Sequence, residues 1–229
     1  MNRAGSLFSH LIRARPEGFF SAKKVPYIFA WFTSIVFHPL MMPTYLNAII
    51  FKYCTDLVPL TRDAKLQILF FIFISTFLVP SLATGLLWVS GVISSVGLEK
   101  RSERMIPLIV TGLVYTAVSY IFLDYLQMAR LLGLFMGATA FTVVITAFIT
   151  HFWKISNHMI GIGGLFGFVI GAILKTHNAS LQWPLMLIIT VSGAIASSRL
   201  LLGAHGYFQI ISGFLLGIAV SWAAVHFFV

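Results

Sequence analysis

Apolar residues in this chain gather into seven long runs, at about 27–51, 66–93, 105–124, 130–152, 159–174, 184–201 and 207–228. A helix needs ~20 such residues to cross the hydrocarbon core of a bilayer. The chain is therefore expected to fold as an all-α, polytopic transmembrane bundle of six or seven spans. Composition agrees: 59% of the 229 residues are hydrophobic and 9% charged, with a mean hydropathy of +0.96. Soluble domains carry about 25% charged residues. The spans leave no room for a separate soluble domain, so residues 25–229 should form one transmembrane domain. The first apolar run is of full bilayer length and no small-residue cleavage site follows it, so no cleavable leader is expected. The single Cys54 excludes an internal disulfide.

Residues 1–24 interleave Arg3, Arg13, Arg15, Lys23 and Lys24 with Leu7, Phe8, Leu11 and Phe19. This reads as a basic amphipathic segment lying on an anionic membrane surface. The net charge of +9 does not indicate nucleic acid, because the basic residues are scattered at span ends and not gathered on one face. Pro39 and Pro43 remove two backbone donors from the first run, which should kink or break there. His38 beside them caps the break or lines a pocket. Gly163, Gly167 and Gly171, at four-residue spacing, suit close helix packing better than a phosphate loop.

Three polar clusters interrupt the apolar background: Glu99-Lys100-Arg101-Ser102-Glu103-Arg104, Ser156-Asn157-His158, and Ser198-Arg199 with His205 and Gln209. Ionisable groups at bilayer depth are costly, about 2.5–3.5 kcal/mol for an arginine at mid-helix, and mark functional sites by default. The clusters fall between runs 2 and 3, 4 and 5, and 6 and 7. Two crossings separate each from the next, so all three should emerge on one face. Other histidines taken singly (His10, His151, His177, His226) are expected to be helix–helix hydrogen bonders.

In the C-terminal cluster, His205, Gln209, Gly213 and Gly217 form an i, i+4 stripe if the last helix starts near Ala204. Gln209 can then reach the His205 ring and set its tautomer. Arg199 offers a planar fork of donors suited to phosphate. Ser156 and Asn157 add further donors, His158 a second imidazole, and Lys100, Arg101 and Arg104 more positive charge. Two imidazoles among fixed cations, without a carboxylate cluster, suit nucleophilic phosphoryl transfer and not a metal site. No cofactor is expected.

These residues resemble the motifs of the type 2 phosphatidic acid phosphatase superfamily of membrane lipid-phosphate phosphatases. Its third motif, Ser-Arg, five residues, His, three residues, Asp, is matched by Ser198-Arg199, His205 and Gln209, with the spacing kept and Gln replacing Asp. Its Pro-Ser-Gly-His motif is matched by Ile155-Ser156-Asn157-His158. The first motif is reduced to Lys100, and Arg104 stands three residues before Pro107 without an Arg-Pro pair. The resemblance covers residues 99–217. It implies a metal-independent reaction in which His205 attacks phosphorus. His158 would protonate the leaving oxygen and then activate water. Arg199, Ser156, the backbone N–H of Asn157, Lys100, Arg104 and Arg101 would hold the phosphate oxygens.

Gln209 supplies no charge where the family has a carboxylate. Either it binds His205 through its carbonyl, or Glu99 or Glu103 substitutes, or the protein is a poor hydrolase. The expected activity is removal of phosphate from a lipid phosphate or pyrophosphate of the surrounding bilayer. Alternatives are a head-group phosphotransferase on the same fold, or a non-catalytic lipid-phosphate binding or transport protein. Ten Lys/Arg lie on the clusters' face and five (Lys52, Arg62, Lys65, Arg130, Lys175) opposite. That bias favours a cytoplasmic N-terminus, in the inner or plasma membrane of a bacterium.

Overall fold

The structure, a computed structural model, describes residues 25–98, 100–126 and 130–229. The basic segment 1–24, with His10, and Glu99 lie outside the described residues. Seven helical spans are long and apolar enough to cross a membrane: span 1 Val25–Tyr53, span 2 Arg62–Val89, span 3 Arg101–Tyr125, span 4 Arg130–Phe152, span 5 Asn157–Thr176, span 6 Ala179–Leu201 and span 7 Tyr207–Phe228. No strand occurs among the described residues, so the protein is an all-α integral membrane bundle. Large apolar side chains such as Trp31, Phe70, Leu86, Phe148 and Trp183 stand exposed on its outer surface. In a bilayer that surface faces lipid, which is as apolar as the side chains themselves.

Spans 5 and 7 make the most intimate pair. A Cβ at Gly167 would lie 2.5 Å from the Ile218 carbonyl oxygen, and one at Gly213 2.8 Å from that of Ser156. Gly163 and Gly217 meet the carbonyl oxygens of Phe214 and Ile160 even more closely. Packing between helices in lipid rests on such close approach, because no hydrophobic gain drives it. The glycine register at 163, 167 and 171 therefore does the packing work expected of it.

Span 1 breaks as its prolines dictate. The helix Val25–Val36 ends, a 3₁₀ turn covers Pro39–Met41, and a second helix runs Met42–Tyr53. His38 caps the turn, its Nδ1 accepting from the Leu40 N–H at 3.3 Å. Pro39 has no N–H, and the His38 N–H turns instead to the Ile35 carbonyl at 3.2 Å. The Ser34 carbonyl, the usual i−4 partner of His38, is thereby released. Tyr45 Oη donates to the Val36 carbonyl at 2.8 Å and Thr76 Oγ1 to that of Leu40 at 3.4 Å. Neighbouring side chains thus satisfy the broken backbone, as a membrane interior requires.

Candidate anion site

Spans 3, 5 and 7 begin on the same face of the bundle on which spans 2, 4 and 6 end. Three helix N-termini, each with unpaired N–H groups and the positive end of its dipole, are therefore directed toward one region. A cavity of about 920 Å³ opens there and runs into the bundle. Its polar end is lined by Arg104, Lys154 and Arg199 and by His38, His158 and His205, and no Asp or Glu lines it among the described residues.

His205 sits in the five-residue connection between spans 6 and 7. Gly203, at φ +61°, ends span 6 in the left-handed conformation that glycine adopts without strain. The Ala204 N–H bonds back to the Arg199 carbonyl at 3.1 Å. This turn sends the chain back over the cavity, where His205 is only 8% exposed. Gln209 Oε1 accepts from the Gly206 N–H at 3.2 Å and lies 3.1 Å from His205 Nδ1. A backbone N–H can only donate, so Gln209 must present its oxygen. Nδ1 of His205 must then carry the proton, which leaves the Nε2 lone pair free. Burial, and then the field of Arg104, push the His205 pKa down to about 4. The ring is neutral near pH 7.

His158 lies in the first turn of span 5. Its Nε2 is 3.0 Å from the Ser34 carbonyl oxygen, to which it donates. That carbonyl is the one released by the break in span 1. His38 packs edge-on against His158, ring centroids 5.7 Å apart. Arg199 closes the last turn of span 6, and its Nη1 donates to Ser34 Oγ at 3.2 Å. Arg104, 6% exposed, donates from Nε to the Leu98 carbonyl at 2.9 Å and from Nη1 to that of Ile155 at 3.2 Å. It joins the connection before span 3 to the one before span 5. The Ser156 N–H bonds the Gln209 carbonyl at 3.3 Å and ties the latter connection to span 7.

Among the described residues, three buried polar atoms at this end have no hydrogen-bond partner: Arg199 Nε, Ser156 Oγ and Asn157 Oδ1. A buried donor left unmade costs about 1–3 kcal/mol, more when charged. The guanidinium nitrogen and the serine hydroxyl are both donors suited to an anion.

The residues expected from the sequence are not all brought together. Arg104, Asn157, His158, Arg199 and His205 line one cavity, and Ser156 is packed behind it, fully buried. Lys100 and Arg101 are not among the lining residues. Lys100 pairs with Glu103 at 3.3 Å, and Arg101 donates to the Phe152 carbonyl. Glu103 also accepts from the N–H and hydroxyl of Ser94, so its carboxylate is spent on the loop and not on His205. Of the alternatives for the missing acid, Gln209 binding through its carbonyl is the one found among the described residues, and Glu99 lies outside them.

Sequence reasoning missed Lys154 and Ser34. Lys154 had a usable signal, standing two residues before Ser156 in the same short connection. Ser34 had none, since its role depends on the backbone break five residues later. Among the described residues no three His, Cys, Asp or Glu side chains are grouped to hold a metal ion.

Fold and site together define a polytopic helical membrane protein with a cavity at one face that, among the described residues, is lined by cations and imidazoles and by no carboxylate. No protein-family model, curated protein or solved structure matches the chain.

Proposed function

We propose that the protein is an integral-membrane lipid-phosphate phosphatase working through a phosphohistidine at His205. The observation that carries this reading is the set of cations, Arg104, Arg199 and Lys154, on one cavity wall beside a neutral histidine whose Nε2 lone pair is free. Arg104 is buried and Arg199 half-buried, and a phosphate dianion placed beside them offsets the cost of holding their charge there. The Ser-Arg…His and Ser-Asn-His spacings, similar to those of the type 2 phosphatidic acid phosphatases, support the same reading.

In the reaction His205 Nε2 would attack phosphorus. The P–O bond to the lipid breaks, and its electron pair leaves on the lipid oxygen. His158 in its imidazolium form, one N–H held on the Ser34 carbonyl, gives its second proton to that oxygen. The incoming phosphate dianion favours this charged form. Water then attacks the phosphohistidine, His158 takes back a proton, and the P–N bond electrons return to Nε2. Arg199, Arg104 and Lys154 stabilise the charge on the transferring phosphoryl group, with the N–H groups opening span 5.

The bilayer supplies the substrate, and the site opens on the face at which span 1 begins. By the distribution of Lys and Arg we assign that face to the cytoplasm of a bacterial inner or plasma membrane. Gln209 in place of a carboxylate favours one second reading, a phosphotransferase in which an alcohol accepts the phosphoryl group from His205. The test is phosphate release by the detergent-purified protein over a panel of lipid phosphates and pyrophosphates, with EDTA present. His205→Ala should abolish release and His158→Ala should lower it by about 10²–10⁴-fold. Release only as a phosphorylated alcohol would assign the transferase. Lipid-phosphate binding unchanged in His205→Ala, with no turnover in the parent, would overturn both.

A further inference from the structure

The cavity does not end at its cationic mouth. Along span 3 its wall runs from Arg104 through Thr111 to Tyr115. Eleven residues at 1.5 Å each make that about 16 Å, close to half of a ~30 Å hydrocarbon core. Thr139 and Thr142 on span 4, Leu165 on span 5 and Leu46 on span 1 line the same deep part.

This inner wall is polar in composition but not in what it offers. Thr111, Thr139 and Thr142 each donate their hydroxyl to the carbonyl four residues earlier, at 2.8–2.9 Å. Their donor hydrogens are spent within the helix, which leaves methyl groups and no free donors for a guest. Tyr115 is 2% exposed, and its Oη donates to the Thr76 carbonyl at 3.2 Å, inside the π-helical turn Ile74–Leu78. Two turns further along span 3 the core is packed. Phe122 is fully buried, and Phe135 and Phe168 meet edge-on at 5.1 Å. The head of the cavity is cationic, its shaft apolar and its floor closed.

We propose that this shaft is a binding chamber for one hydrocarbon chain of the lipid phosphate, about one leaflet deep and floored by Tyr115. The assignment rests on the phosphate reading of the cavity mouth. A volume of about 920 Å³ is near the top of the ~300–1,000 Å³ range of sites for a single small ligand. It suffices for a phosphate with one enclosed chain. The substrate class is a lipid phosphate or pyrophosphate with one chain drawn out of the bilayer and into the bundle. Trp31 and Ile35 of span 1 and Thr84 of span 2 line the cavity on the side where the chain would pass from lipid.

The experiment uses n-alkyl phosphonates of increasing chain length, which are not hydrolysed, with inorganic phosphate as the chain-free probe. Binding to the detergent-purified full chain is read as a shift in thermal unfolding. Affinity should rise with chain length and then stop rising at the length that reaches Tyr115. Tyr115→Leu should move that break to longer chains, and Thr142→Leu should move it to shorter ones. Tyr115→Phe, which keeps the ring and loses the bond to Thr76, should leave it in place and covers the case in which Tyr115→Leu does not fold. A series without a break, or a break that no variant moves, places the chain in the lipid and overturns the chamber while leaving the phosphate site standing. No stabilisation by inorganic phosphate or any phosphonate overturns the phosphate site and the chamber with it.

Discussion

His205 owes its chemical state to two neighbours that hold no charge. The Gly206 N–H fixes the amide orientation of Gln209, and the amide oxygen fixes the proton on Nδ1. A carboxylate in that place would add a charge that favours the imidazolium. Gln209→Glu is therefore expected to raise the His205 pKa from about 4 toward or above the ordinary 6.5, read by histidine-resolved NMR titration in detergent. A resonance that titrates near 4 in both forms would show that Gln209 does not govern the ring. The sign for stability follows from proton binding. Between about 6.5 and about 4 the unfolded chain binds a proton at this position that the folded chain does not. The contribution of His205 to stability is thus present above 6.5 and is lost as pH falls through that window. Arg199 acts through geometry as well as charge. Arg199→Lys keeps the charge but loses the planar fork, and a hydrogen bond to a charged group contributes about 1.5–3 kcal/mol. Inorganic phosphate should stabilise the variant with about 10–100-fold weaker apparent affinity, measured by thermal shift against phosphate concentration.

Spans 5 and 7 are held together by close backbone contact at their glycines. Gly217 and Gly163 have carbonyl oxygens where a Cβ would go, and a backbone cannot swing aside as a flexible side chain can. Gly217→Ala should destabilise by about 1–3 kcal/mol or more through overpacking of spans 5 and 7. Gly193 in span 6 has nothing within 4 Å of its Cβ position. Gly193→Ala should be neutral or stabilise by up to about 1 kcal/mol, because alanine is the better helix former. Thermal unfolding of the two variants in one detergent checks the contrast, and equal losses would refute the packing argument. The glycine spacing was legible in the sequence because small residues every four positions share one helix face. The use of the span 1 break was not. Two prolines announce a break, but which carbonyl it releases and which residue takes that carbonyl depend on span 5 lying alongside.

At the scale of the molecule, the site exists because three connections meet on one face. Single cysteines at Ser95, Trp153 and Gly206 should all be labelled by a membrane-impermeant thiol reagent from the same side of sealed vesicles. Cysteines at Asp56 and Ser180 should be labelled only from the other side. The native Cys54 is buried, and burial, followed by the Asp56 charge, raises its thiol to about 11, so it should contribute little background. Labelling of the first three from different sides would break the site apart.

The amino-acid order by itself determined the spans and the shared face. Apolar run length is read against a bilayer of known thickness, and two crossings always return a chain to the side it left. It also marked His158, Arg199, His205 and Gln209, whose spacings are short enough to be set within one helix or one turn. Only the tertiary structure decided which cations reach the cavity. Arg104 and Lys154 line it, while Lys100 and Arg101 are held at the rim by Glu103 and the Phe152 carbonyl. It likewise decided that Ser34 orients both His158 and Arg199, and that the cavity is floored by Tyr115. Apart from the Lys100–Glu103 pair, such choices rest on contacts between residues distant in the chain, such as Tyr115 with Thr76, Arg101 with Phe152 and Arg199 with Ser34. No local pattern encodes them, because helix packing sets those distances.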